Sequence, residues 1–194
     1  MAFPLVRFQR FSPYIAEHAV TRHLVLLSLL MILTGCAAGP QPADYASEAP
    51  RLDLRRYFDG KIDGWGIVQD RKGKVLRRFT VEIDGNWTQD RGRLDESFIW
   101  SDGTREKRVW QIVKNGDHYT GTAGDVVGTA TGTAAGHALQ WSYVLRLPDA
   151  QGGYDMRMDD WMWLIDDETL ANRTTMKKFG ITFAEISIFF RKRR

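Results

Sequence analysis

Cysteine is all but absent: Cys36 is the one thiol in 194 residues, so no disulfide can close within the chain. Histidine is nearly as scarce. Only His118 and His137 lie beyond residue 36, and neither has a second His or Cys at ligand spacing, so no metal is expected. A Gly-x-Ser-x-Gly nucleophile elbow is missing, and so is a free catalytic thiol. Charge of one sign is lacking too, with 27 Lys and Arg against 24 Asp and Glu. Arg7, Arg10, Arg22 and Glu17 fall in the first 35 residues, leaving 24 basic and 23 acidic groups after them. Four of the 24 are the terminal run Arg191, Lys192, Arg193 and Arg194. A near-neutral domain with a basic tip has no basic stripe, so nucleic acid is not an expected partner. That tip could instead lie beside an anionic membrane surface.

No apolar run approaches the ~20 residues that span a bilayer. The run Leu24 to Leu33, LVLLSLLMIL, is half that length. Arg22 and His23 precede it and Thr34-Gly35-Cys36 follows, the order of a secretory signal with a small-residue cleavage site. Leu33-Thr34-Gly35-Cys36 resembles the lipobox of bacterial lipoproteins. The resemblance implies a signal peptide over 1–35, cleavage before Cys36, and diacylglycerol on its thiol, so membrane lipid is an expected partner. Ala37 after the cysteine implies the outer membrane of a Gram-negative cell, facing the periplasm. Met1 to Thr21 is long and oddly aromatic for the start of a signal, and a start near Val20 gives an ordinary one.

Residues 36–50 hold the lipidated Cys and AAGPQPADYASEAP, which lacks an apolar period and reads as a flexible tether. From 51 to 194 period two dominates. Phe79, Val81 and Ile83 alternate with Arg78, Thr80 and Glu82. Leu94, Phe98 and Trp100 share a face, as do Leu139, Trp141, Tyr143 and Leu145. Trp161 and Trp163 alternate with Met162 and Leu164. Such alternation marks half-buried antiparallel strands. Turn signals such as Arg71-Lys72-Gly73 and Asn115-Gly116-Asp117 separate them. The pattern predicts an all-β fold, an up-and-down antiparallel barrel of about eight to ten strands, which removes sheet edges by closing.

GTAGDVVGTATGTAAG, Gly121 to Gly136, lacks the Gly-Lys-Ser/Thr of a phosphate cradle and reads as a bent or bulged hairpin where backbones come close; no cofactor is expected. The polar candidates are Glu96, Asp125, Asp159, Asp160 and Arg173. Asp159 and Asp160 point to opposite faces, so one enters the barrel and needs a partner such as Arg173 or Arg108. Trp141, Met158, Trp161 and Trp163 are candidates for the wall of an apolar cavity.

Several stretches resemble a family of bacterial lipoproteins catalogued as domain of unknown function 3833. They are Tyr57-Phe58-Asp59-Gly60, Trp65-Gly66-Ile67-Val68-Gln69-Asp70, Leu94-Asp95-Glu96, Asp125-Val126-Val127-Gly128, Asp159-Asp160-Trp161-Met162 with Asn172-Arg173, and Lys178-Phe179-Gly180 with Glu185. The resemblance implies no established activity. Phe58, Gly64 and Trp65 also resemble the first-strand region of lipocalin and calycin barrels. That implies that Trp65 closes one barrel end beneath an Arg of the last strand, Arg191. The expectation is a lipid-anchored barrel that binds or carries a lipid or other apolar ligand, such as a long-chain fatty acid or phospholipid. Two alternatives stand beside it: an enzyme acting on fatty acyl groups through the acidic residues, and a structural envelope protein with a filled barrel.

Overall fold

A computed structural model describes residues 39–194; the expected signal peptide and Cys36 lie outside the described residues. Ten strands follow one another: β1 (Gly60–Asp70), β2 (Val75–Thr88), β3 (Arg91–Trp100), β4 (Arg105–Asn115), β5 (His118–Thr122), β6 (Ala130–Ala135), β7 (Ala138–Arg146), β8 (Asp155–Leu164), β9 (Thr169–Lys178) and β10 (Ile181–Lys192). Each pairs antiparallel with its sequence neighbours, and β1 pairs with β10, so the sheet closes as an up-and-down barrel with no free edge. The upper end of the expected strand number is the one observed.

Inward and outward positions follow the sequence alternation through most of the sheet. Phe79, Val81 and Ile83 of β2, Leu94 of β3 and Leu139 and Trp141 of β7 are buried in one core. Turn chemistry fixes the hairpins. At the β1–β2 turn the Asp70 carboxylate accepts from the Lys72 and Lys74 amides, and Gly73 takes the positive φ of 82° that a side chain would resist.

The two ends of the barrel differ. At one, the chain before β1 crosses the opening as a single helical turn, α1 (Leu54–Tyr57), capped by the Asp53 carboxylate on the Arg55 amide. Leu54, Tyr57 and Phe58 are buried, and Tyr57 Oη donates to the Glu168 carbonyl at 2.9 Å in the β8–β9 turn. Phe58 meets Phe190 edge-on, with centroids 5.9 Å apart. Gly85 makes the plug possible, because a Cβ there would lie 1.7 Å from the Phe58 carbonyl oxygen. Hairpins β1–β2, β3–β4, β5–β6, β7–β8 and β9–β10 surround the other end, where the β7–β8 connection carries a single 3-10 turn, Asp149–Gln151.

Within the segment expected to be a flexible tether through Pro50, the described stretch from Pro42 is instead seated on the barrel. Pro42–Tyr45 forms a 3-10 turn, and the Tyr45 ring stands edge-on to His137 and Trp161 at 5.3 and 5.9 Å. The Leu52 amide then donates to the Gly136 carbonyl at 2.8 Å. Apolar and aromatic partners at Tyr45 and Leu52 override the Pro- and Ala-rich composition around them.

Candidate functional site: the barrel cavity

Inside the barrel is a cavity of about 380 Å³. Leu54 and Phe58 form its floor, the wall is mainly apolar, and Leu76, Pro148 and Phe183 stand at its open rim. Its volume lies in the range of small-molecule pockets, roughly 300–1,000 Å³. Trp110 and Trp141 meet edge-on at 5.7 Å on the wall, and Trp110 meets Tyr143 likewise at 5.4 Å. Space for the Trp141 ring comes from glycines. A Cβ on Gly132, directly across from Trp141, would lie 2.4 Å from the indole, and one on Gly121 would lie 2.9 Å from it. The expected close approach in the Gly- and Thr-rich segment is thus chiefly that of an indole onto backbone.

Two polar clusters interrupt the apolar wall. The first joins β3, β4 and the β5–β6 loop. Glu96 and Arg108 are cross-strand partners, and Arg108 makes a bidentate pair with Asp125, Nε and Nη2 lying 2.9 and 2.7 Å from Oδ2. Asp125 reaches this place because its loop continues the wall against β7: the Val127 amide donates to the Val144 carbonyl and the Arg146 amide to the Asp125 carbonyl. Glu96 is the less satisfied partner. Its Oε2 has no hydrogen bond and lies 3.8 Å from Arg108 Nη1. Burial pushes its carboxyl up to about 7, with Arg108 opposing and Asp125 adding to the rise.

The second cluster joins β8 and β9. Asp160 is buried, accepts from the Asn172 side-chain amide and is hydrogen-bonded by Thr174, its cross-strand partner. Burial again dominates and pushes Asp160 up to about 7 against those hydrogen bonds, with Glu96 and Asp159 adding to the rise. Burial likewise raises Tyr143 above its ordinary 10, with Asp160 adding to it.

Trp141, Glu96, Asp125 and Asp160 all face the cavity. Met158 is buried on the inward face of β8, within the core rather than on the cavity wall. Other placements also differ from expectation. Trp161 and Trp163 lie outside the barrel, stacked at 6.0 Å, because the inward phase of β8 is Met158, Asp160, Met162 and Leu164. Tyr45 covers Trp161, and Arg173 lies 5.9 Å from the Trp163 ring, also outside. Asp159 is outside as well, accepting from Gln140 Nε2 at 2.8 Å and pairing with Lys177. The buried network therefore excludes Asp159 and Arg173 and includes Arg108, Tyr143, Asn172 and Thr174. Nor do Trp65 and Arg191 close the barrel. Trp65 is 53% exposed opposite exposed Phe189, and Arg191 turns outward to Glu168 at 3.7 Å; the plug around Phe58 closes that end. Sequence reasoning missed this plug because one helical turn carries no periodicity.

Among the described residues no group of His, Cys, Asp and Glu is arranged to hold a metal, and no helix is long and apolar enough to cross a membrane. Comparison with solved structures finds a protein of unknown function from the DUF3598 family of Nostoc punctiforme, with a TM-score of 0.55 and 13% identity. The match covers 80% of this chain and 53% of that one, so this chain spans about half of its length. The S-type phycobiliprotein lyase of Guillardia theta matches with a TM-score of 0.50 and 8% identity over 80% of this chain and 99% of its own. Both are similar in fold. A search of the curated proteins finds no match. The sequence profile described as "Protein of unknown function (DUF3833)" matches residues 30–192, and the chain belongs to that family.

Proposed function

We propose that this protein binds one small, largely apolar molecule inside its barrel, held at the cell envelope by lipid on Cys36. The observation that carries the binding role is the cavity, floored at one end, open at the other and apolar apart from two buried polar clusters. Those clusters also bear on the ligand's polar group. Arg108 is already engaged bidentately by Asp125, and the other two arginines of the lining, Arg77 and Arg146, pair with Asp102 and Asp155, whereas Glu96 and Asp160 both present carboxyl groups. Both carboxyls are partly ionised near pH 7, so a ligand carboxylate would be buried beside like charge, which is costly. An alcohol or an amine can instead meet the open Glu96 Oε2. The expected fatty-acid ligand therefore gives way to a single-chain molecule with a neutral or basic head.

The test compares dodecanol, dodecylamine and dodecanoate by titration calorimetry. The alcohol and amine bind at least about tenfold more tightly than the acid, roughly 1.4 kcal/mol. Glu96→Gln and Asp160→Asn narrow the difference. Equal affinity for all three heads contradicts the assignment of the ligand class.

An enzymatic reading rests on the same groups, since a buried carboxyl near pH 7 suits a general acid. Recovery of an acyl ester unchanged after prolonged incubation with the protein favours binding over turnover. For the anchor, Cys36→Ala abolishes palmitate labelling, and labelling that persists in this variant contradicts it.

A further inference from the structure

The rim of the open end carries apolar side chains that no part of the described chain covers. Phe179, Ile181 and Phe183 of the β9–β10 hairpin are 92%, 64% and 64% exposed, and Leu76 of the β1–β2 hairpin and Tyr154 of the β7–β8 loop are more than half exposed. The three tips form one patch. β10 pairs with β1, Asp70 lying across from Ala184, and Lys178 Nζ sits 3.2 Å from the centroid of the Tyr154 ring.

Phe179 is the most telling residue. It occupies the first position of a two-residue turn with φ of 52°, followed by Gly180 at 78°. Such turns favour Asn or Gly, and a positive φ is strained for a bulky side chain. The strain brings Phe179 no packing within the barrel: among the described residues its one ring contact is Lys178 Nζ at 5.5 Å. Nothing among the described residues repays this arrangement, since Phe179 is 92% exposed.

We propose that this rim docks on an anionic lipid bilayer, with Phe179 and Ile181 entering the acyl boundary and the lysines at headgroup depth. Charge selects a bilayer over a neutral partner. Arg71, Lys72 and Lys74 on the neighbouring tip make no ion pair among the described residues. At the plugged end, by contrast, the basic terminus is engaged: Arg191 and Arg194 pair with Glu168, and Arg193 with Asp63 and Glu82. The expected membrane role of that terminus therefore passes to the opposite end. Basic residues interleaved with exposed aromatic and aliphatic tips are the composition of an interfacial membrane contact. Continuity supports the same occupant. Phe183 and Leu76 belong both to the exposed rim and to the cavity lining, so an apolar surface runs unbroken from bilayer to cavity. The docking is independent of which ligand the cavity takes.

The test uses the full chain with Cys36→Ala and a single new cysteine carrying the environment-sensitive dye NBD, at Phe179→Cys or, on the opposite end, at Ile165→Cys. Each is mixed with phosphatidylcholine vesicles with and without phosphatidylglycerol. Position-resolved emission separates rim insertion from attachment through the apolar segment Leu24 to Leu33. The expected result is a blue shift at position 179, with quenching by doxyl-labelled lipid, that requires phosphatidylglycerol, weakens with salt and is absent at 165. Changing Lys72, Lys74 and Lys178 to Glu in the labelled chain abolishes it. The proposal is overturned if the protein sediments with vesicles while dye at 179 stays in water. It is also overturned if dye at 179 is shielded without lipid, whether concentration-dependently by a second copy or by the chain's own residues before 40.

Discussion

Glu96 and Arg108 stand directly across from each other on β3 and β4, yet approach no closer than 3.8 Å, because the guanidinium is turned to Asp125. One cation thus serves two carboxylates, and the more deeply enclosed of the two receives the weaker contact. Breaking a buried ion pair by removing one partner is strongly destabilising.

Arg108→Met should lower stability by about 2–4 kcal/mol near pH 8, since it strands Glu96 without a cation. Near pH 5 the loss should be smaller, because Glu96 is then protonated. Glu96→Gln in the same background should restore much of the difference. Urea unfolding of the four members of this cycle measures the coupling.

The same chemistry sets a pH dependence. Glu96 and Asp160 have ordinary values of 4.5 and 3.8 and are pushed up to about 7 in the fold, chiefly by burial. Below about pH 3 both the folded and the unfolded chain hold these protons, and the two groups contribute their full stability. As pH rises toward about 7 the unfolded chain releases protons that the fold retains, so stability falls, by up to about 1.4 kcal/mol per pH unit for each group. Asp53, Asp63, Asp102, Asp155 and Asp166 are held below 3.8 and act in the opposite sense, but only in acid. Glu96→Gln and Asp160→Asn should each gain on the parent protein at pH 8, with the gain shrinking toward pH 5. A parent stability that is flat across this window, with variants running parallel to it, contradicts the burial of these carboxyls.

Gly132→Ala should cost about 1–3 kcal/mol, because the new Cβ would lie 2.4 Å from the Trp141 indole and 3.1 Å from the Gln140 carbonyl oxygen. Trp141→Phe in the same chain should relieve part of the cost. The shift in denaturation midpoint measures both.

Much of the barrel was legible in the sequence because residues such as Phe79, Val81 and Ile83 alternate cleanly with Arg78, Thr80 and Glu82. In β8 both phases are apolar: Trp161 and Trp163 compete with Met162 and Leu164. Side-chain chemistry alone does not choose between them; the register to β7 and the cover from Tyr45 do. That one of Asp159 and Asp160 enters the barrel followed from alternation. Its partner did not, because Asn172 and Thr174 rather than Arg173 share the inward phase of β9 once Asp160 pairs with Thr174. The position of Asp125 depends on a loop pairing with β7 some twenty residues away, which local pattern does not encode.

The central claim is that the barrel is a binding cavity, and one measurement addresses it directly: titration of dodecanol into the protein and into a filled variant, Leu94→Phe with Ile186→Phe, both positions on the cavity wall. Trp110 and Trp141 fluorescence reports occupancy, and urea unfolding confirms that the variant remains folded. The account predicts saturable one-to-one binding by the parent protein that weakens at least about tenfold in the filled variant. No saturable binding by the parent, or equal binding by the filled variant, would contradict it.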